Sequence, residues 1–92
     1  MTQDHLSALY AAAEAKKGDE GWMILPDSRS LTLYVAADGA TLTVSRVLAL
    51  RHEGQLIHAR TNKGEHYIVA LEDAYAGSVD APSGAAKKAG FV

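Results

Sequence analysis

The sequence predicts an α+β fold: one N-terminal helix packed on an antiparallel β-meander of four or five strands, either open or curled into a small roll or barrel. Three observations favour this fold. Apolar residues recur at helical spacing near the N-terminus, they alternate with polar residues from position 31 onward, and glycine-containing turns separate the alternating segments. The 92 residues suffice for one domain, which we expect at residues 1–80, followed by a flexible tail at residues 81–92.

Composition limits the function classes. The chain is 48% hydrophobic and 22% charged, as in an ordinary globular protein, and its net charge of -2 disfavours strong non-specific attraction to nucleic acid or anionic membrane. With no cysteine, a disulfide, a thiolate nucleophile and a zinc–thiolate site are excluded. The chain shows neither a basic leader nor the roughly 18 consecutive apolar residues of a membrane-spanning helix. These features predict a cytoplasmic protein without a membrane partner.

The segment TQDHLSALYAAAEAKKG, residues 2–18, is predicted to be the helix. Its alanines have high helix propensity. Thr2 and Asp4 are candidate N-caps, and Gly18 is the candidate left-handed stop. The buried stripe should consist of residues at i, i+3, i+4 and i+7, namely Leu6, Leu9, Tyr10 and Ala13.

The strands are predicted from alternation and turn chemistry. Residues 22–25 indicate a short first strand that ends in a turn at Pro26. Regular alternation begins at residue 31, and the following Asp38-Gly39 favours a type I' hairpin loop that sets Val35 opposite Leu42.

The next strand, residues 41–52, has an apolar core row that is interrupted by an arginine. The row consists of Leu42, Val44, Leu48 and Leu50. Arg46 at its midpoint indicates that the arginine side chain reaches the edge of the sheet, or that a bulge lies nearby. A buried anionic partner for Arg46 is the third alternative.

Two further turns continue the meander. Glu53-Gly54 is predicted to form a two-residue loop, because this loop pairs Leu50 with Ile57 on the core face. The second turn, residues 62–64, has the sequence Asn-Lys-Gly, which is typical of a three-residue loop closed by a bulged glycine. After the last strand, the segment ALEDAYAG, residues 70–77, could add one helical turn, and the residues that follow are predicted to form a tail.

The three-residue loop decides whether polar residues gather on the outer face of the sheet. It sets Arg60 opposite His66, with His58 on the same face, so the three side chains could converge on one anionic group. Lys63 lies at the adjacent loop tip. A rival two-residue loop would turn His66 into the core and remove the cluster.

The outer face should also be covered, because it is more apolar than a solvated face needs to be. Its apolar members are Val47, Ala49, Leu56 and Ile68. The N-terminal helix is the simplest cover, and a second copy of the chain is the next.

Catalytic and metal-binding roles lack support. His52 and His66 lie beside turns at opposite ends of the sheet, roughly 15 to 20 Å apart, so a three-histidine metal site is excluded in either register. No serine has the setting of a nucleophile, and no glycine-rich phosphate loop is present. We therefore expect no enzyme activity, no cofactor and no metal.

Residues 31–79, from LTLYVAADG to DAYAGSV, resemble the strand pattern of LytTR-type DNA-binding domains. The likeness lies in a strand that ends near Leu50, a short glycine turn, a strand LIHART, a return KGEHYIV and a short segment ALEDAYAG. The resemblance implies a β-rich transcription-factor module that inserts loops into successive major grooves. It implies phosphate contacts by Arg51, Arg60 and Lys63, with contributions from His58 and His66 at acid pH. The family's following basic strand has no counterpart in this chain. As a whole, the chain also resembles small proteobacterial proteins without an assigned activity.

Two functions follow from these predictions. The leading one is a small non-enzymatic binding or protein-interaction module that uses the exposed sheet face around His58, Arg60 and His66. Its partner would be another protein or a second copy of the chain. The alternative is a nucleic-acid-binding regulator module built on the same hairpins. The simplest interpretation is a solvated face without a ligand.

Overall fold

Residues 1–80, the part of the chain that the computed structural model describes, form one helix packed on a curled antiparallel sheet. The sheet bends into a half-barrel, which confirms the predicted α+β class. The tail predicted at residues 81–92 lies outside the described residues. The helix is α1 (Gln3–Ala13), and the strands are β1 (Lys16–Lys17), β2 (Met23–Ile24), β3 (Ser30–Ala37), β4 (Ala40–Glu53), β5 (Leu56–Thr61), β6 (His66–Ala70) and β7 (Ala74–Asp80).

Strands β3 to β6 form the predicted meander, each antiparallel to the next. The 14-residue β4 pairs with β3 through its first half and with both β2 and β5 through its second half. Strand β1 pairs with β2. The predicted short first strand is therefore present as β2, and its pairing with β4 fixes where the residues just before it lie.

Strand β7 departs from the prediction. A 3-10 turn at Leu71–Asp73 occupies part of the predicted helical turn, but Ala74–Asp80 is a strand antiparallel to β3. Gly77 leaves room for α1 next to this strand, because a Cβ at Gly77 would lie only 2.7 Å from Cδ1 of Leu9. The absence of a side chain at Gly77 lets α1 approach the strand closely.

Helix α1 is shorter than predicted. Thr2 is its N-cap, and the Thr2 hydroxyl accepts a hydrogen bond from the backbone N–H of His5. The helix ends at Ala13, and its C-cap is Glu14, which has a left-handed φ of 57°. Gly18 is therefore not the stop. It lies between β1 and the 3-10 turn at Asp19–Gly21, where a Cβ would collide with Ile24.

The core lies between α1 and one face of the sheet, here called the core face. Leu6 and Ala13 are the fully buried members of the helix stripe, and Leu9 and Tyr10 pack partly against the core. Burial raises the pKa of Tyr10 to about 12. The buried sheet residues of the core are Leu31, Leu33, Val35, Val44, Val47, Leu50, Ile57, Ala59 and Val69, joined by Leu25, Leu71 and Ala74.

The β3–β4 hairpin closes through the predicted two-residue loop. Asp38 and Gly39 both have positive φ, 52° and 80°, as a type I' turn requires. Val35 lies opposite Leu42. The predicted register is confirmed.

The β4–β5 hairpin differs from its prediction by two residues in register. The loop consists of Gly54 and Gln55, so Leu50 lies opposite Ala59 and not opposite Ile57. Gly54 takes the first loop position with a φ of 60°. A shift of two residues keeps every side chain on its predicted face, so the apolar alternation could not distinguish the two registers.

The β5–β6 hairpin has the three-residue loop. The N–H of Thr61 donates to the carbonyl of Glu65 at 2.9 Å, and Gly64 has a φ of 81°. Arg60 lies opposite His66. The register on which the cluster depends is confirmed.

A β-bulge explains why Arg46 interrupts the apolar row of β4. Leu33 lies opposite Val44 but Leu31 lies opposite Val47, so β4 has one extra residue between these pairs. Arg46 sits in the bulge with a φ of 56° and is exposed. Because of the extra residue, Val47 turns to the core face and is fully buried, whereas we predicted it on the outer face.

A second bulge in β4 follows directly. On the side of β5, Val47 lies opposite Thr61 and Ala49 lies opposite Arg60, which leaves Leu48 as the extra residue. Leu48 is 40% exposed, so its predicted place in the core row is wrong. The alternation resumes with Leu50 in the core. Two bulges thus change the core spacing of β4 from two residues to three.

The left-handed backbone at Arg46 should make glycine the most stable residue there. We expect the free energy of unfolding of Arg46→Gly to exceed that of Arg46→Ala by about 1 kcal/mol, because alanine keeps the steric cost of positive φ. In urea denaturation, Arg46→Gly should therefore unfold at the higher urea concentration. Both variants lose the arginine side chain, so the comparison isolates the backbone. Equal stability of the two variants would show that Arg46 does not adopt this conformation.

Candidate functional site

Trp22, and not the N-terminal helix, covers the polar cluster on the outer face of β4, β5 and β6. Helix α1 packs on the core face, so the predicted cover by the helix is wrong. Trp22 is 6% exposed, yet it is outside the main core cluster. It immediately precedes β2, whose pairing with Ala49 and Leu50 carries the indole onto the outer face.

The indole of Trp22 is surrounded by the predicted site residues. Its ring centroid lies 5.5 Å from that of His66 and 6.3 Å from that of His58, and both imidazoles meet it edge-on. The guanidinium carbon of Arg60 lies 4.2 Å from the indole centroid, which is a cation–π contact. The structure therefore brings His58, Arg60 and His66 together, around a tryptophan that the sequence analysis did not include.

The imidazoles of His58 and His66 are hydrogen-bonded to each other. Nδ1 of His58 lies 3.0 Å from Nε2 of His66, so one ring donates a proton and the other accepts it. The second nitrogen of His58 lies 3.2 Å from Oε1 of Glu53, without the geometry of a hydrogen bond. Nδ1 of His58 is therefore engaged by His66, Nε2 is buried without a hydrogen-bond partner, and the ring packs edge-on against Trp22.

Arg60 remains available. No carboxylate oxygen of residues 1–80 lies within 4.0 Å of its guanidinium group. One face of the guanidinium rests on Trp22, while the N–H donors at its edge can bind an anion. Within the described cluster, Arg60 is the side chain that is both charged and free.

A groove of about 400 Å³ opens beside Arg60 and Trp22. Its floor and walls include Ile24 and Leu48, which are 47% and 40% exposed. Asp19 and Glu20, from the 3-10 turn before Trp22, line another wall. We call this feature the Trp22 groove; it combines an apolar surface with one basic wall and one acidic wall.

The other predicted binding residues lie outside the Trp22 groove. Arg51 is bound to Glu53 at 3.4 Å, and its Nε lies near Gly21 of the 3-10 turn. Lys63 lines a separate polar hollow of about 250 Å³ together with Arg46. Neither Lys63 nor Arg46 has a carboxylate oxygen within 4.0 Å among the residues described.

The remaining histidines have structural contacts. Nε2 of His52 lies 2.8 Å from the carbonyl oxygen of Gly54 in its own hairpin, and His5 belongs to the capping box of α1. Residues 1–80 contain no group of three metal-ligating side chains placed to hold an ion. In the same range, no helix has the length and apolar character needed to cross a membrane.

Sequence reasoning missed Trp22, Ile24, Leu48 and the acidic pair of the groove. One signal was present: Trp22 is the single tryptophan of the chain and lies beside a glycine-rich acidic turn. Its docking place depends on the pairing of β2 with β4, and residues 23 and 24 carry no turn chemistry that would set this pairing. The exposure of Leu48 depends on a bulge without a glycine.

Comparison with known proteins identifies no related protein. No family model, no curated protein and no solved structure matches the chain significantly. The resemblance to LytTR domains therefore stays a prediction, and the function must be argued from the site itself.

Proposed function

We propose that this chain is a non-enzymatic protein-interaction module that binds an anionic group of its partner through Arg60 on the outer sheet face. The arrangement of Arg60 carries the proposal. An arginine stacked on a largely buried tryptophan is held in one orientation, so little side-chain entropy is lost when it binds. A carboxylate is the matching group, because it accepts two parallel N–H bonds from a guanidinium.

Rigid support strengthens this proposal. Trp22 is held by two imidazoles that are hydrogen-bonded to each other, and both imidazoles project from paired strands. Binding groups on paired strands are positioned more accurately than groups on loops. The predicted roles of His58 and His66 are therefore revised from direct anion contacts to support of the Trp22–Arg60 pair.

The cellular setting is also part of the proposal. A chain without cysteine gains nothing from an oxidising compartment, so we place the module in the cytoplasm. The partner that we propose is another protein, and a second copy of the chain is the self-associating variant of the same idea.

Nucleic-acid binding is the second candidate function, favoured by one observation. Arg46, Arg60 and Lys63 all lack a carboxylate oxygen within 4.0 Å in the described part of the chain. Binding of a fluorescent DNA duplex that weakens steeply with salt, and that falls in both Arg60→Gln and Lys63→Gln, would establish this function. The acidic wall of the Trp22 groove disfavours a polyanion, which is why we rank it second.

Acetate tests the proposed anion site at constant ionic strength. Titration should change the fluorescence of Trp22 saturably, because Trp22 is the single tryptophan and touches Arg60. We expect Arg60→Gln to weaken acetate binding by about tenfold, the loss of a charge-assisted pair.

Arg29→Gln is the matched control. Arg29 lies outside the Trp22 groove and contacts the exposed Glu14 at 3.4 Å, so the control removes the same charge without touching the groove. Its acetate affinity should equal that of the wild-type protein. A wild-type protein without a saturable response, or equal losses in the two variants, would refute the proposed site.

A further inference from the structure

The Trp22 groove assigns a class of ligand to the Arg60 site, and this inference rests on the proposed function. We propose that the groove binds a peptide segment in which a large aliphatic side chain lies next to a carboxylate. The carboxylate pairs with Arg60, and the aliphatic side chain lies on Ile24 and Leu48.

An apolar surface lies beside the free guanidinium group of Arg60. Ile24 and Leu48 are large aliphatic residues that stay 47% and 40% exposed within the same groove as Arg60. A ligand with a charge alone would leave this surface in water. A volume of about 400 Å³ lies within the usual range of small-ligand sites and accepts one large side chain with its backbone.

The groove also carries negative charge on the wall formed by the 3-10 turn. Asp19 and Glu20 line the groove, and no basic group of residues 1–80 lies within 4.0 Å of their carboxylates. Their negative charges oppose a ligand with several phosphates, and carboxylates accept hydrogen bonds from N–H groups. A peptide offers all three matching features: one negative charge, an apolar side chain and backbone N–H donors.

The test compares three small probes by the fluorescence of Trp22. N-acetyl-leucine carries the carboxylate, the aliphatic side chain and an N–H group; acetate carries only the charge; N-acetyl-leucinamide lacks the charge. We expect N-acetyl-leucine to bind about tenfold more tightly than acetate, the gain from partly burying one leucine side chain. N-acetyl-leucinamide should bind more weakly than N-acetyl-leucine.

Leu48→Ala should remove most of this gain, so that N-acetyl-leucine and acetate bind this variant with similar affinities. Leu56→Ala is the matched control, because Leu56 is 42% exposed and lies outside the Trp22 groove. Both substitutions concern exposed side chains, so folding should be preserved in both variants.

Each outcome separates the inference from the function on which it rests. Tighter binding of N-acetyl-leucine that is lost in Leu48→Ala and kept in Leu56→Ala supports the inference. Equal affinity for N-acetyl-leucine and acetate overturns the inference and leaves the anion site standing. Absence of binding by both acids overturns the inference and the proposed function together, and tighter binding of a DNA duplex would assign the face to nucleic acid.

Discussion

Replacing Trp22 by alanine is expected to lower the free energy of unfolding by about 3 kcal/mol and to abolish acetate binding. The indole is 6% exposed and fills the space between Arg60 and the two imidazoles. Its loss would leave Arg60 without a fixed orientation. Because the variant has no tryptophan, far-ultraviolet circular dichroism during urea unfolding measures the stability, and the NMR cross-peak of the Arg60 side-chain Nε–Hε group measures acetate binding.

Trp22→Phe separates packing from binding geometry. Phenylalanine preserves most of the apolar contact but interacts more weakly with a cation, so we expect a stability loss of about 1 kcal/mol and only partial loss of acetate affinity. If Trp22→Ala costs no more than Trp22→Phe, then Trp22 does not cover the outer face as described.

Replacing Leu33 by alanine is expected to destabilise the domain by about 3 to 4 kcal/mol, because the truncation leaves a cavity in a fully buried position. Leu33 lies in β3 between Val44 of β4 and Gly77 of β7, and Gly77 has no side chain that could fill the space. This is a large share of the roughly 5 to 15 kcal/mol that stabilises a typical domain. Urea denaturation of the purified variant measures the effect.

Leu42→Ala is the matched control for this prediction. Leu42 occupies the same predicted core row of the β3–β4 hairpin, but it is 42% exposed near the end of the hairpin. We expect a loss below about 1 kcal/mol. Similar losses at the two positions would contradict the assignment of the core.

The sequence predicted the parts of the fold that local chemistry determines. Asp38-Gly39 has the backbone preferences of one hairpin loop, and its register was predicted correctly. For residues 62–64 the sequence left two loops open, and the structure has the three-residue loop that the Asn-Lys-Gly sequence favours. The β4–β5 register was wrong because moving the two-residue loop by one position shifts the pairing by two residues, and this shift leaves the same side chains in the core.

Features set by tertiary contacts were not predictable in the same way. A bulge near Arg46 was one of three alternatives that the interrupted apolar row left open, whereas the second bulge, at Leu48, was not predicted, and neither residue favours a bulge by its own chemistry. Strand β7 contains alanine, glycine and serine, which carry little strand propensity, and it exists because β3 and α1 pack against it. In both cases the neighbouring elements outweigh local preference.

The candidate site also has one part that local chemistry determines and another part that tertiary contacts determine. The convergence of His58, Arg60 and His66 followed from one loop and the alternation of two strands. The part that completes the site, Trp22 with Ile24 and Leu48, depends on a two-residue strand that pairs with β4 across a long stretch of sequence. The strand register was therefore sufficient to predict the cluster, but it could not predict that Trp22 holds Arg60 in position.

The central claim is that Arg60, fixed on Trp22, is a free anion-binding group. The most direct measurement is the cross-peak of the Arg60 side-chain Nε–Hε group in a ¹H–¹⁵N NMR spectrum, followed during an acetate titration at constant ionic strength. The structure predicts a saturable shift of this cross-peak together with the indole N–H of Trp22, and no comparable shift at Arg29. An Arg60 cross-peak that stays unmoved, or that shifts linearly in parallel with Arg29, would contradict the claim.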